Sequence, residues 1–207
     1  MTLTKTLPFL LLMAMATPVF AQTATEGDAA TTTEPPADPL ALAMGEEDAA
    51  DSKVGDIYVD GEFGDWEIRC IKSEPPAPDL CQMYQLLLAP NDSPVAEINI
   101  FPLKAASADQ PAAGATVITP LESLLTQQLG LSVDGGKVRK YPYSWCSRIG
   151  CFSRMGFSQA EIDQFRRGNA AALVIVPVAA PDQKVNLKVS LTGFTAAYAD
   201  VVERQTQ

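Results

Sequence analysis

The chain has 207 residues, with 25 acidic against 15 basic side chains, a net charge of −10 and no histidine. This acidic balance disfavours nucleic acid as a partner. The absence of histidine removes the Ser-His-acid triad, the commonest general base and a usual zinc ligand.

Residues 1–21 read as a secretory signal peptide. Lys5 supplies the positive start, Leu7 to Val19 the apolar stretch, and Val19-Phe20-Ala21 the cleavage region. The stretch is short and carries Pro8 and Pro18, and no later run is long enough to span a bilayer, so the mature protein is not expected to cross a membrane. Neither a lipid-anchor cysteine nor a twin-arginine pair is present. The expected location is the periplasm, with secretion or outer-membrane association as extensions of the same route.

Residues 22–56 hold nine acids against Lys53 alone, no aromatic residue, and an excess of Ala, Thr and Pro. Such a segment buries too little apolar surface to offset its ordering entropy. It is expected to be a disordered acidic tail, a solvated spacer rather than an arm reaching a basic partner. Residues 57–207 hold both Trp and all five Tyr, and about 150 residues suffice for one core but not two.

Period-two alternation dominates this domain. Trp66, Ile68 and Cys70 alternate with Glu67 and Arg69. Gln82 to Ala89 and Val95 to Leu103 read as strands joined across Pro90-Asn91-Asp92-Ser93-Pro94. Leu129, Leu131 and Val133 lead into the turn Asp134-Gly135-Gly136 and a returning strand from Lys137 to Trp145. A helical turn is expected within Pro120–Gln128, and a short helix after Ser158, with Glu161 completing a capping box, Ile162 and Phe165 on one face, and Gly168 at the end. Ala170 to Val178 reads as a central strand, and Val185 to Leu191 as a half-buried one. The Gly193-Phe194 pair is expected to end that strand and turn the chain onto the core. The fold class is therefore all-β, an antiparallel two-sheet β-sandwich with one or two short helices.

Even cysteine usage behind an export signal implies disulfides. Cys70, Cys81, Cys146 and Cys151 allow three pairings, of which Cys70 with Cys81 and Cys146 with Cys151 close short local loops. Each such loop contributes roughly 2–3 kcal/mol in the loop-entropy account. Neither spacing is Cys-x-x-Cys, which disfavours a redox role, and no metal or other cofactor is implied.

Gly64-Asp65-Trp66 running to Cys70, Gly130-Leu131-Ser132-Val133-Asp134-Gly135, Cys146 with Gly150-Cys151, and Ser190-Leu191-Thr192-Gly193-Phe194-Thr195-Ala196-Ala197 together resemble the pattern of the invasion-associated locus B family, from Phe63 to about Val201. That resemblance implies an exported alphaproteobacterial protein with an immunoglobulin-like β-sandwich, in a family named for host-cell invasion and without established catalytic residues. The long acidic segment departs from typical members.

No Ser-x-x-Lys, no Gly-x-Ser-x-Gly and no phosphate- or dinucleotide-binding glycine loop occurs. The one enzymatic reading left is an envelope polysaccharide hydrolase or lyase using paired carboxylates drawn from Asp65, Glu67, Glu97, Glu122 and Asp134. A non-catalytic binding protein is preferred. Its candidate surface is Lys137, Arg139, Lys140, Tyr141, Tyr143, Trp145, Arg148 and Arg154, cations and aromatics without an acid among them. They suit an anionic glycan or lipid of a cell envelope or host surface. A plainer structural reading takes precedence for the strip itself: the three aromatics share one parity and belong to the core, and the cations guard an edge strand at Pro142. Trp66 is likewise read as core, packed against cysteine sulfur, rather than as a ligand platform. The sequence sets no oligomeric state.

Overall fold

The computed structural model describes residues 53–104, 107 and 109–205. The chain divides into two units, Met1–Asp48 and Ala49–Gln207. The signal peptide expected at 1–21 and all of the acidic tail before Lys53 lie outside the described residues.

Among the described residues, eleven strands and two α-helices follow in order: β1 (Ile57–Phe63), β2 (Trp66–Ile71), β3 (Leu80–Leu88), β4 (Pro94–Pro102), β5 (Ala113–Thr119), β6 (Leu129–Val133), β7 (Arg139–Tyr141), β8 (Trp145–Ser147), β9 (Gly150–Phe157), α1 (Gln159–Arg167), β10 (Ala170–Ile175), β11 (Val185–Ser190) and α2 (Phe194–Arg204). A seven-stranded sheet has the order β1-β2-β3-β4-β5-β9-β8, and a four-stranded sheet the order β11-β10-β6-β7. Every pairing is antiparallel, as the all-β sandwich expectation requires.

The core is the inner face of the large sheet. Ile68 and Cys70, Met83 and Leu87, Ile98 and Ile100, Ala115 and Val117, and Met155 and Phe157 alternate inward and are buried. Leu131, Leu173, Leu187 and Val189 of the small sheet join them, with Ile162 and Phe165 of α1 and Phe194, Ala197, Tyr198 and Val201 of α2. Burying each large side chain contributes about 1.5–3 kcal/mol. Helix α1 begins as its sequence dictates: the Ser158 hydroxyl accepts from the Glu161 N–H while the Glu161 carboxylate accepts from the Ser158 N–H at 2.9 Å.

One junction ties the first hairpin to the last strand. Gly64 (φ +60°) and Gly193 (φ +83°) face each other so closely that a Cβ on Gly193 would lie 1.9 Å from the Phe63 carbonyl oxygen. Glycine is required there by both the left-handed backbone and the missing space. Asp65 N–H donates to the Thr192 carbonyl at 3.2 Å, and Trp66 Nε1 donates to the Ser190 carbonyl at 2.9 Å. The Gln85 side-chain amide grips Ser190 from the facing sheet, accepting from its N–H at 2.8 Å and donating to its carbonyl at 3.1 Å.

Several expectations are corrected. The returning strand from Lys137 to Trp145 is two strands in different sheets: β7 pairs with β6, and β8 pairs with β9. Pro142 has no N–H to continue a ladder, and it lies between them in neither strand. Gly193 does not merely turn the chain inward; it caps α2, an eleven-residue helix. Strands β1, β5 and β9 were not anticipated, and the helical turn expected in 120–128 is a 3₁₀ turn at Leu125–Gln127. Trp66 is buried, but its ring meets Phe194 edge-on at 5.6 Å, in addition to sharing the inward face with Cys70.

Candidate functional site

The outward face of the large sheet exposes Leu86, Trp145, Ile149 and Arg154, and strand register sets its composition. Trp145 pairs with Phe152, Phe152 with Ile118, Ile118 with Glu97, and Glu97 with Leu86, so one row crosses five strands. A second row runs Arg154, Thr116, Asn99, Tyr84 and Glu67. Residues directly opposite on adjacent strands hold their side chains within contact range, so the first row is a mainly apolar ridge beside a polar one.

The ridge is rigid at one end. Cys146 and Cys151 are disulfide-bonded across the β8–β9 hairpin, whose turn is Arg148-Ile149. Trp145 stacks on Phe152 with ring centroids 4.8 Å apart and planes 13° from parallel, and it remains 48% exposed. Ile149, 74% exposed, joins Leu86, Val95, Glu97 and Ile118 around a shallow depression of about 260 Å³. Arg148 and Arg154 are exposed beside these groups. On the polar row the Arg69 guanidinium lies over the Tyr84 ring at 3.2 Å and also meets Glu67 at 2.8 Å. Burial, and the Glu97 carboxylate beside it, push the Tyr84 phenol above its ordinary value.

The eight residues of the sequence-predicted strip are not brought together. Lys137, Arg139, Lys140 and Tyr141 belong to the β6–β7 hairpin of the small sheet; Trp145, Arg148 and Arg154 belong to the large one. Arg139 Nε is ion-paired to Glu161 at 3.1 Å, and Lys140 Nζ donates to the Gln127 carbonyl at 2.9 Å, so both fasten β7 down. Tyr141 meets Phe157 edge-on at 6.2 Å and Tyr143 packs on the core; Trp145, expected to share their burial, does not. Burial pushes the Tyr141 phenol up, reinforced by Glu161, and its buried oxygen has no hydrogen-bond partner. Phe152, Ile118 and Leu86 complete the ridge and were missed, together with Glu97, which the sequence offered only as a catalytic carboxylate. The signal for Phe152 was available, since Cys151, Ser153, Met155 and Phe157 alternate with it, but Ser153 and Gly156 disguised the strand.

The second disulfide, Cys70–Cys81, closes the loop 72–80, which is fastened by Asp79. The Asp79 carboxylate accepts from Tyr58 Oη at 2.6 Å, Ser73 N at 2.8 Å and Lys72 Nζ at 3.2 Å. The Tyr58 hydrogen bond, then Ser73 and Lys72, hold its carboxyl down at about 2, while the same bond raises Tyr58 to about 12.

Three of the five carboxylates considered for catalysis are employed individually. Asp65 accepts from the Ser190 hydroxyl, and Glu67 is paired with Arg69. Asp134 accepts from Asn169 N and Ala170 N at 3.1 and 3.0 Å, fixing the start of β10. Glu97 stands on the ridge, and Glu122 is exposed in the loop before the 3₁₀ turn. Among the described residues no group of three or more Cys, Asp or Glu is placed to hold a metal ion, and no helix is long and apolar enough to cross a membrane.

A profile described as "Invasion associated locus B (IalB) protein" matches residues 66–202. The fold is similar to the crystal structure of invasion associated protein B from Bartonella henselae, with a TM-score of 0.59 and 23% sequence identity over 71% of this chain and 98% of that one. No match is found among curated protein sequences.

Proposed function

The chain belongs to the invasion associated locus B family, and on that premise we propose that it is an exported, non-catalytic binding protein. Its outward sheet face holds an anionic glycan-bearing component of a cell envelope or host surface, with lipopolysaccharide as the type of ligand. The carrying observation is Trp145, half exposed and stacked on Phe152, on a disulfide-closed hairpin flanked by the exposed Arg148 and Arg154. A flat aromatic surface held in place binds the apolar face of a sugar ring or an acyl chain at little entropic cost. Neighbouring guanidiniums add bidentate contacts to phosphate or carboxylate. The two disulfides and the signal-like leader support export to an oxidising compartment.

The test is retention of the purified protein on immobilised lipopolysaccharide in low and high salt, with a neutral polysaccharide as control. Trp145→Ala is expected to weaken retention about tenfold at either salt. Arg148→Ala with Arg154→Ala is expected to abolish the advantage of low salt. Retention unchanged by all three substitutions would remove the proposal.

A further inference from the structure

The edges of the two sheets are treated differently. β7 and β8 are three residues long, and β1 carries a register irregularity between Val59 and Gly61. Short or bulged edges are the usual means of preventing further strand pairing. β11 is six residues long, is paired in unbroken register with β10 alone, and carries neither bulge nor proline.

The direction of its free main-chain groups is fixed by Ser190. Its N–H and carbonyl both engage the Gln85 side-chain amide, and so point away from β10, whereas Leu191 N–H donates towards the strand side at Asn169. Main-chain groups in a strand alternate in direction, so those of Lys188 and Asn186 point the same way as those of Ser190. Gln85 thus makes the donor-and-acceptor pair that an additional strand would make at its first rung, and the next two rungs are open.

Those rungs open into a cleft of about 550 Å³, formed by Asn186, Lys188 and Ser190 on one side and the outward end of β3 on the other. Leu86 and Leu88, 47% and 42% exposed, form the apolar part of the opposite wall. β2 no longer accompanies β3 there, since their pairing ends at Glu67 with Tyr84. Asp65 and Asp92 contribute carboxylates, beside Glu67, which is already paired with Arg69, against the ammonium of Lys188.

We propose that this cleft is a strand-addition site for an extended peptide segment of a partner protein in which basic and apolar side chains alternate. The segment pairs with Asn186 and Lys188 in continuation of the rung occupied by Gln85. Main-chain hydrogen bonds supply affinity in this mode, and pockets for alternate side chains supply selectivity. Apolar side chains lie against Leu86 and Leu88, and basic ones reach the carboxylates of Asp65 and Asp92. An acidic segment is repelled by the same groups. The site meets the far end of the Trp145 ridge at Leu86 but uses none of Trp145, Arg148 and Arg154.

The probe is a capped Lys-Val-Lys-Val-Lys-Val peptide, with Glu-Val-Glu-Val-Glu-Val as its control, added to the purified protein while main-chain amide shifts and exchange rates are followed. The basic peptide is expected to slow exchange at Asn186 and Lys188, and the acidic one to leave both unchanged. Lys188→Pro deletes an N–H that faces the cleft rather than β10, a place where an edge strand tolerates proline. It is expected to weaken the basic peptide about tenfold, the loss of one hydrogen bond, although it also removes an opposing charge. Asp92→Asn, at a left-handed position that asparagine accepts (φ 61°), is expected to weaken it several-fold in low salt only. Equal binding of both peptides, protection elsewhere in the domain, or a self-associated dimer that Lys188→Pro dissolves would each overturn the proposal, the last by assigning the edge to a second copy of the chain.

Discussion

Along β3, Met83, Gln85 and Leu87 point into the core while Tyr84, Leu86 and Leu88 point out, and the two sets belong to regions built on opposite terms. Inward, Gln85 joins the junction of Gly64, Asp65, Trp66, Ser190 and Gly193, where side-chain amide and indole bond the Ser190 main chain and backbones approach to contact. Outward, the ridge from Trp145 to Leu86 leaves large apolar side chains in water with exposed arginines beside them. The residues that carry the family resemblance fall almost wholly in the first kind of region. They hold the sheets together, and what they preserve is the fold. The proposed binding chemistry falls in the second kind, on positions that the motif does not mark.

Substitutions on the two sides should therefore separate stability from binding. The largest effect is expected at Gly193→Ala, where a Cβ would collide with the Phe63 carbonyl in a left-handed backbone; a loss of about 4 kcal/mol or more in urea unfolding is expected. Trp66→Phe, which removes the hydrogen bond to Ser190 and part of a fully buried ring, is expected to cost about 2–3 kcal/mol. Replacing Cys146 and Cys151 together by serine should cost about 2 kcal/mol by loop entropy. This pair belongs to both regions, so it should also weaken retention on lipopolysaccharide, whereas Trp66→Phe should not once folded protein is compared. Trp145→Ala should change unfolding by less than about 0.5 kcal/mol, since the residue is half exposed. A large stability loss there, or a binding loss at Trp66, would collapse the distinction.

The smallest effect is local and pH-dependent. Asp79 is depressed from 3.8 to about 2, so its fastening of loop 72–80 is complete above pH 4 and is lost as pH falls towards 2. Tyr58 is raised from 10.0 to about 12, so its share is complete below pH 10 and is lost as pH rises through 12. Asp79→Asn should return the Tyr58 titration to the ordinary tyrosine range, read by phenolate absorbance, and should loosen Ser73 amide exchange with little change in global unfolding.

The division between the regions also explains what the sequence disclosed. Strands with strict alternation, such as β2 and β11, and the capping box of α1 were legible because local chemistry and tertiary burial agree there. α2 was not read, although Phe194, Ala197, Tyr198 and Val201 recur at helical spacing, because the glycine before them suggested a turn. The Lys137–Arg154 strip looked continuous in sequence, but Pro142 passes the chain from one sheet to the other. Its first half became a fastening for β7, through Glu161 and Gln127, and its second half reached the open face. The partners of Trp145 on that face, from Phe152 to Leu86, come from four further strands. Only register brings them together, and register is a property of the whole sheet.

Amide hydrogen exchange of the protein on lipopolysaccharide micelles tests the central claim most directly, because it reports on both halves of the strip at once. Slowed exchange across β8, the Arg148-Ile149 turn and β9, with β7 unchanged, is the expected result. Slowed exchange at Lys137 to Tyr141, with the β8–β9 hairpin unchanged, would place the binding surface on the small sheet and contradict the assignment to the outward face.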